Sequence, residues 1–338
     1  MSQQECVNTI CLNMIVKDEA HVIEKTLENL CSYINFSYWV ISDTGSTDNT
    51  KKLITNFFDR RNIPGELVEH KWKDFSHNRN MALQCAFNKT DYVLIFDADD
   101  KINGKLNLPK ELKNEGYNLK FGNETCVYER TLLVNNRIKW EYVGVLHEVI
   151  ICKETNFNIV LLDGNYYLDS GRSGARNNDP NKYIKDAKIL EKAHAEAVEQ
   201  DDELQIRYSF YCAQSYKDCG EANKAIEWYK KRISYGGWWQ ELYYSHYMIG
   251  ELYNGLGEIE KAIYHWSRTL EYDSERLEGI YHIIHHFYDE KQWELALHYF
   301  KFVEPYMSNE KVLHKKLFTW KEVYEYKLDF DIVIIAYH

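Results

Sequence analysis

Over the first hundred residues, short apolar runs rich in β-branched residues alternate with amphipathic stretches. The runs TICLNMIV (9–16), SYWVISD (37–43), GELVEH (65–70) and DYVLIFD (91–97) predict strands. Between them HVIEKTLENLCSYI, STDNTKKLITNFFDR and SHNRNMALQCAF carry helical spacing, with Ser46 or Thr47 placed to cap the second. Strand–helix alternation of this kind predicts a mostly parallel sheet with helices on both faces. Ligands bind such sheets beyond the carboxyl ends of the strands, and here those ends read VKDE, DTGSTD and DADD.

After Asp100 the pattern changes. ETCVYERTLLV, RIKWEYVGVLHEVIICK and NIVLLDGNYYLD have strand composition, with a turn expected at Asn135-Asn136. SGRSGARNNDPN then gathers turn residues and marks a boundary. From about Tyr183 the signal is helical and repeats. Tyr216, Gly220 and Ala225 return as Tyr253, Gly257 and Ala262, and more loosely as Phe287, Lys291 and Ala296. The second helices read EANKAIEWYKK, EIEKAIYHWSR and QWELALHYFK. A period of this size, with small residues where helices touch, predicts stacked helical hairpins of the tetratricopeptide kind. The expected division is 1–175 for the α/β domain, 176–327 for the helical repeats and 328–338 for a tail. DIVIIAY in that tail reads as a strand, possible only as an added sheet edge or as the opening of a further domain.

Composition narrows the classes. Of 338 residues, 45% are hydrophobic and 28% charged, which suits two globular domains. A net charge of −11 disfavours a protein that wraps nucleic acid. No apolar stretch approaches the roughly 20 residues of a membrane helix, and MSQQECVNTICLNMIV does not read as a signal peptide. The eight cysteines form no CxxC pair, so thiols in a reducing, cytoplasmic setting are expected rather than disulfides or zinc.

The acids at the strand ends carry the chemistry. Carboxylates in D-x-D spacing suit a hard divalent cation, and a nucleoside diphosphate needs such a cation to neutralise its phosphates. Asp97, Asp99 and Asp100 follow the fourth strand and Asp43 the second, while Arg79 stands near the start of the third helix. A guanidinium there can meet a diphosphate or an ordinary surface carboxylate.

NMIVKDEA, ISDTGSTDNT, FSHNRNMAL and LIFDADD, in this order and spacing, resemble the family 2 glycosyltransferases of the GT-A fold. The resemblance extends to the subgroup in which tetratricopeptide-like repeats follow, through VGVLHEVI and RLEGIYHIIHHFYDEKQWELALHYF. It implies transfer of a hexosyl group from a nucleotide sugar, UDP-linked such as UDP-glucose, to an acceptor hydroxyl with inversion. Glycan or protein acceptors, and a protein partner or self-association through the repeats, are implied partners. The resemblance also implies that Val16, Lys17, Glu19 and Asp43 hold the nucleoside and that Arg79 meets the base or phosphates. Asp97 would contact ribose or metal, and Asp99 would ligate Mn²⁺ or Mg²⁺.

His147 in GVLHE is a candidate third metal ligand, with Glu148 beside it as the expected base and Asp100 and Glu141 as lesser candidates. The bland alternative alternates His147 and Glu148 across a strand. Related sequences often carry a His where this chain reads YYLDSGRSG, so Asp169 or Ser170 stands in that place, beside Arg172 and Arg176 in a Gly-containing loop. That departure keeps open a catalytically inactive nucleotide-binding scaffold. A nucleotidyltransferase fits less well, because VKDEAHV offers no glycine-rich phosphate loop. In the repeats, Trp238 and Trp239 could meet sugar rings or a peptide, and the histidines of YHIIHHF receive no metal.

Overall fold

A computed structural model describes residues 7–122, 127–153, 157–170, 179–307 and 316–338. The chain divides into two compact units, residues 1–182 and 183–338.

In the first unit, strands β1 (Ile10–Val16), β2 (Tyr38–Asp43), β3 (Gly65–Glu69) and β4 (Tyr92–Ile95) alternate with helices α1 (Ile23–Tyr33), α2 (Thr50–Arg61) and α3 (Phe75–Ala86). β5 (Asp100–Leu106), β6 (Gly116–Gly122), β7 (Val127–Asn135), β10 (Ile159–Leu161) and β11 (Gly164–Ser170) complete a nine-stranded sheet of order β3-β2-β1-β4-β7-β6-β11-β5, with β10 beside β6. The first four strands run parallel. β7 turns antiparallel against β4 and β6. Because β1, β2 and β4 are parallel, their carboxyl ends share one sheet edge. β8 (Trp140–Val143) and β9 (Val149–Cys152) form a separate antiparallel hairpin.

β1 is buried almost throughout, as a central parallel strand covered on both faces must be. One core gathers Leu12, Leu27, Ile41, Phe58 and Leu94; a smaller one under α3 gathers Cys11, Val40, Ala86, Val134 and Tyr142. The N-cap of α2 is Asn49 rather than Ser46 or Thr47, without a side-chain cap bond. Just ahead of it Asp48 Oδ1 accepts from the Thr50 amide and hydroxyl, at 2.9 and 2.5 Å. The turn after β7 falls at Asn136, as expected.

The second unit holds α4 (Lys182–Glu199), the hairpins α5–α6 (Leu204–Asp218, Ala222–Ser234), α7–α8 (Trp239–Gly255, Ile259–Arg268) and α9–α10 (Glu278–Asp289, Trp293–Val303), and α11 (Leu328–Tyr337). Ala225, Ala262 and Ala296, the repeated small positions, are each fully buried. The repeated turn positions Gly220, Gly257 and Lys291 all take positive φ, at 80°, 76° and 57°. Lysine adopts there a conformation that glycine reaches without steric cost.

The tail corrects the sequence reading. DIVIIAY belongs to helix α11, which packs against α9 and α10. Leu328, Asp331 and Ile335 are buried at helical spacing, and His285 Nδ1 meets Asp331 Oδ2 at 2.7 Å. Its neighbours are helices, so tertiary packing overrides the β preference of the Ile-Val-Ile-Ile run. Six described cysteines (11, 31, 85, 152, 212 and 219) are free thiols. Among the described residues no helix is long and apolar enough to cross a membrane.

Candidate active site

The loops after β1 and β2 are stitched together. The Asp18 amide donates to Ser46 Oγ at 2.9 Å, and the Thr47 amide returns to Asp18 Oδ1 at 2.7 Å. The Glu19 amide meets Thr50 Oγ1 and the Ala20 amide meets Asp48 Oδ2, at 2.8 and 3.1 Å. Asp43 is buried at the end of β2 and accepts from the Gly45 and Ser46 amides of its own turn. An ionised carboxylate offers about four acceptor positions, so the turn does not exhaust it. Val16, Lys17, Glu19 and Asp43 thus form one rigid rim. His70, after β3, joins through its amide to the Asp43 carbonyl and through Nδ1 to Ser42 Oγ.

α3 supplies the centre through three consecutive residues. Asn78, fully buried, accepts from the Lys73 amide and donates to the Lys71 carbonyl, fixing the loop ahead of the helix. Arg79 donates from Nη2 to Asp97 Oδ1 and from Nε to Glu148 Oε1, both at 2.6 Å. Asn80 donates to the Tyr142 carbonyl at 2.8 Å and accepts from the Tyr142 amide at 2.7 Å. The Tyr142 ring lies 5.5 Å from the Arg79 guanidinium carbon.

The Arg79 side chain is 6% exposed and spans two carboxylates. Burial alone would lower its pKa, but Asp97 and Glu148 outweigh that and hold it firmly charged. Burial likewise acts upward on Asp97, and Arg79 with Arg130 outweighs it, keeping the carboxyl below its usual range. Arg130 drew no attention in the sequence. It lies on β7, which runs antiparallel beside β4, and its charge acts on Asp97. Asp97 remains 30% exposed, whereas Glu148 is 8% exposed.

Asp100 opens β5 opposite Ser170, which brings that residue of β11 beside the acids. Burial, then repulsion from Asp97, pushes its carboxyl well above the usual range, with Asp99 adding to the effect. GVLHE is neither strand nor alternation: it forms the tip of the β8–β9 hairpin, with His147 exposed at φ 53°. Glu141 lies on β8, paired with Lys153 at the surface. Arg172 and Arg176 fall outside the described residues.

Hard carboxylate oxygens crowded at Asp97 and Asp99 suit a divalent cation. Among the described residues no three His, Cys, Asp or Glu side chains come together as a metal cage. Mg²⁺-type sites commonly use one or two carboxylates, completed by substrate phosphates and water. The donor set fits a site of that kind.

Residues 11–114, spanning the rim, α3 and the acidic strand end, match the family model described as Glycosyl transferase family 2. Over that span the chain is similar to the family 2 glycosyltransferases. Comparison with curated proteins finds no match. Among solved structures similar to this chain, the mannosyltransferase PcManGT from Pyrobaculum calidifontis, in complex with GDP-Man and Mn²⁺, is 11% identical. The similarity covers 92% of this chain and 90% of that one, with a TM-score of 0.41. TarS 1–349 from S. aureus, in complex with UDP-GlcNAc, is 13% identical over 78% of this chain and 91% of its own, with a TM-score of 0.37. Glucosyl-3-phosphoglycerate synthase from Mycobacterium tuberculosis, with Mn²⁺ and UDP, is 17% identical over 28% of this chain, with a TM-score of 0.23; the chain spans only 34% of that protein.

Proposed function

We propose that the glycosyltransferase domain moves a hexosyl group from a UDP-linked donor to an acceptor hydroxyl, with inversion and with a bound Mn²⁺ or Mg²⁺. The observation that carries the proposal is Arg79, which joins the acidic end of β4 to Glu148 on the hairpin. That one contact brings a diphosphate-type acidic site and a second carboxylate into a single constellation.

In this reading the stitched rim from Val16 to Glu19 and the buried Asp43 receive the nucleoside. Asp97 and Asp99 hold the cation, which when bound stabilises negative charge on the departing diphosphate. Arg79 fixes the orientation of Asp97 and keeps its carboxylate ionised. The same guanidinium engages Oε1 of Glu148, leaving Oε2 to accept a proton from the acceptor hydroxyl. An inverting transfer needs that proton removed as the oxygen attacks the anomeric carbon from the face opposite the leaving group. Burial of Arg79, Glu148 and Tyr142 excludes water from the contacts that hold this geometry. The acceptor and any protein partner of the repeats belong to the same proposal.

Incubating the purified protein with a panel of nucleotide sugars and Mn²⁺, and measuring free sugar and UDP, tests it. Donor hydrolysis confined to UDP-sugars, and abolished by EDTA, is expected. No release above background from any donor would favour an inactive nucleotide-binding scaffold instead.

A further inference from the structure

The β8–β9 hairpin carries Glu148 but does not join the main sheet; its strands pair only with each other. An isolated two-stranded hairpin is marginally stable in water, so its position depends on what fastens it. Tyr142 anchors it by burial in the cluster under α3, and Trp140 Nε1 donates to the Asn135 carbonyl at 3.1 Å. Asn80 supplies a different kind of bond. Its side-chain amide meets both backbone groups of Tyr142, as a neighbouring strand would.

We infer that Asn80 is a positioning residue for Glu148, a role that rests on the transfer reaction proposed above. Asn80 directly follows Arg79 on α3, so one helical turn grips the hairpin twice. Arg79 holds the tip through the Glu148 carboxylate; Asn80 holds the stem through the Tyr142 peptide. The two grips differ in what survives ligand binding. Arg79 also binds Asp97, so its grip is shared with the acidic strand end, whereas Asn80 touches neither carboxylate. The stem bond therefore keeps Glu148 in place independently of the acids.

The chemistry at Tyr142 demands both a donor and an acceptor on one short side chain, which asparagine has. Aspartate would keep the acceptor and set a carboxylate oxygen against the Tyr142 carbonyl; alanine would lose both bonds.

Asn80→Ala and Asn80→Asp, compared with wild type, test the role through turnover, nucleotide affinity and backbone hydrogen exchange. In Asn80→Ala, kcat for UDP-sugar hydrolysis is expected to fall by about tenfold to a hundredfold while UDP–Mn²⁺ affinity by calorimetry stays within about twofold. Asn80→Asp should fall in between. In a Glu148→Gln background, Asn80→Ala should add no further loss. Exchange measured by mass spectrometry should quicken across 140–152 and stay unchanged in β1 and β4. Unchanged exchange in the hairpin overturns the inference, as does nucleotide affinity that falls together with kcat, or a loss that multiplies in the Glu148→Gln background. Wild-type protein that releases no sugar overturns the reaction and the positioning role with it, whereas the exchange data then still decide whether Asn80 fastens the hairpin.

Discussion

Of the buried arginine–carboxylate networks among the described residues, one in the helical unit and one in the sheet unit are built to different ends. In the helical unit, Arg276 and Glu278 are both fully buried and paired at 2.8 Å. Arg276 also donates to the Leu317 carbonyl, and Glu278 accepts from the Trp320 amide and the Tyr324 hydroxyl. Protein groups answer both charges. In the sheet unit, Arg79 answers Asp97 and Glu148, but Asp99 and Asp100 crowd the same strand end and Asp97 reaches the surface. A closed network, answered throughout by protein groups, stabilises; an open one, which gathers several carboxyls at a partly exposed strand end, suits a cation and its ligand.

The largest expected effect comes from breaking the closed network. Glu278→Ala strands a buried guanidinium, and loss of one partner of such a pair costs about 3–5 kcal/mol. Urea denaturation of the full chain should show that loss, with UDP affinity of the folded protein unchanged. Breaking the open network should instead cost activity. Arg79→Met should lower kcat by about a hundredfold or more through misplaced carboxylates, with a smaller shift in the denaturation midpoint than Glu278→Ala produces.

The comparison also explains what could be read in advance. β1 to β4 and their helices were legible because buried parallel strands are near-continuous apolar runs punctuated by amphipathic segments. The strand ends VKDE, DTGSTD and DADD marked the candidate site for the same reason, since polar residues interrupt those runs only at the tips. β5 and β6 were not legible: DKINGKL and GYNLKFG lack a clean alternation, and β5, which pairs only with β11, leaves Lys101, Lys105 and Gly104 toward solvent or a bend. Arg130 depends on register between strands far apart in sequence, which local pattern does not encode. His147 and Glu148 looked like strand residues because the flanking VGVL and VII are apolar, yet a left-handed residue at the tip turns them into a hairpin loop. In the tail, β-branched composition gave the wrong element because the partners were helices.

A smaller, pH-dependent effect belongs to the helical unit alone. Glu251, in α7, lies 3.2 Å from His282, and burial raises its carboxyl to about 7 while lowering His282 to about 4. An acid whose folded pKa is raised binds more protons folded than unfolded. Its contribution is full below about pH 4.5 and is lost as pH rises toward 7. His282 acts the other way, its contribution being lost as pH falls from about 6.5 toward 4. Glu251→Gln should therefore remove the falling component and tilt the stability–pH curve upward with pH, measured by urea midpoints between pH 5 and 8. If the slope of wild type persists in the variant, the assignment fails.

The smallest effect lies in the third repeat turn. Lys291→Gly relieves a left-handed lysine and should raise stability by about 0.5–1 kcal/mol after the entropic cost of glycine. Gly257→Lys should lower it by a similar amount, and equal midpoints for both variants and wild type would contradict the strain at this turn.

The open network is the central claim, and calorimetry of UDP binding with and without Mn²⁺ tests it most directly. Wild-type protein should bind UDP with a strong Mn²⁺ dependence, and Asp99→Ala should lose that dependence while keeping its denaturation midpoint. Equal UDP affinity in Asp99→Ala and wild type, or wild-type binding indifferent to Mn²⁺, would contradict the account.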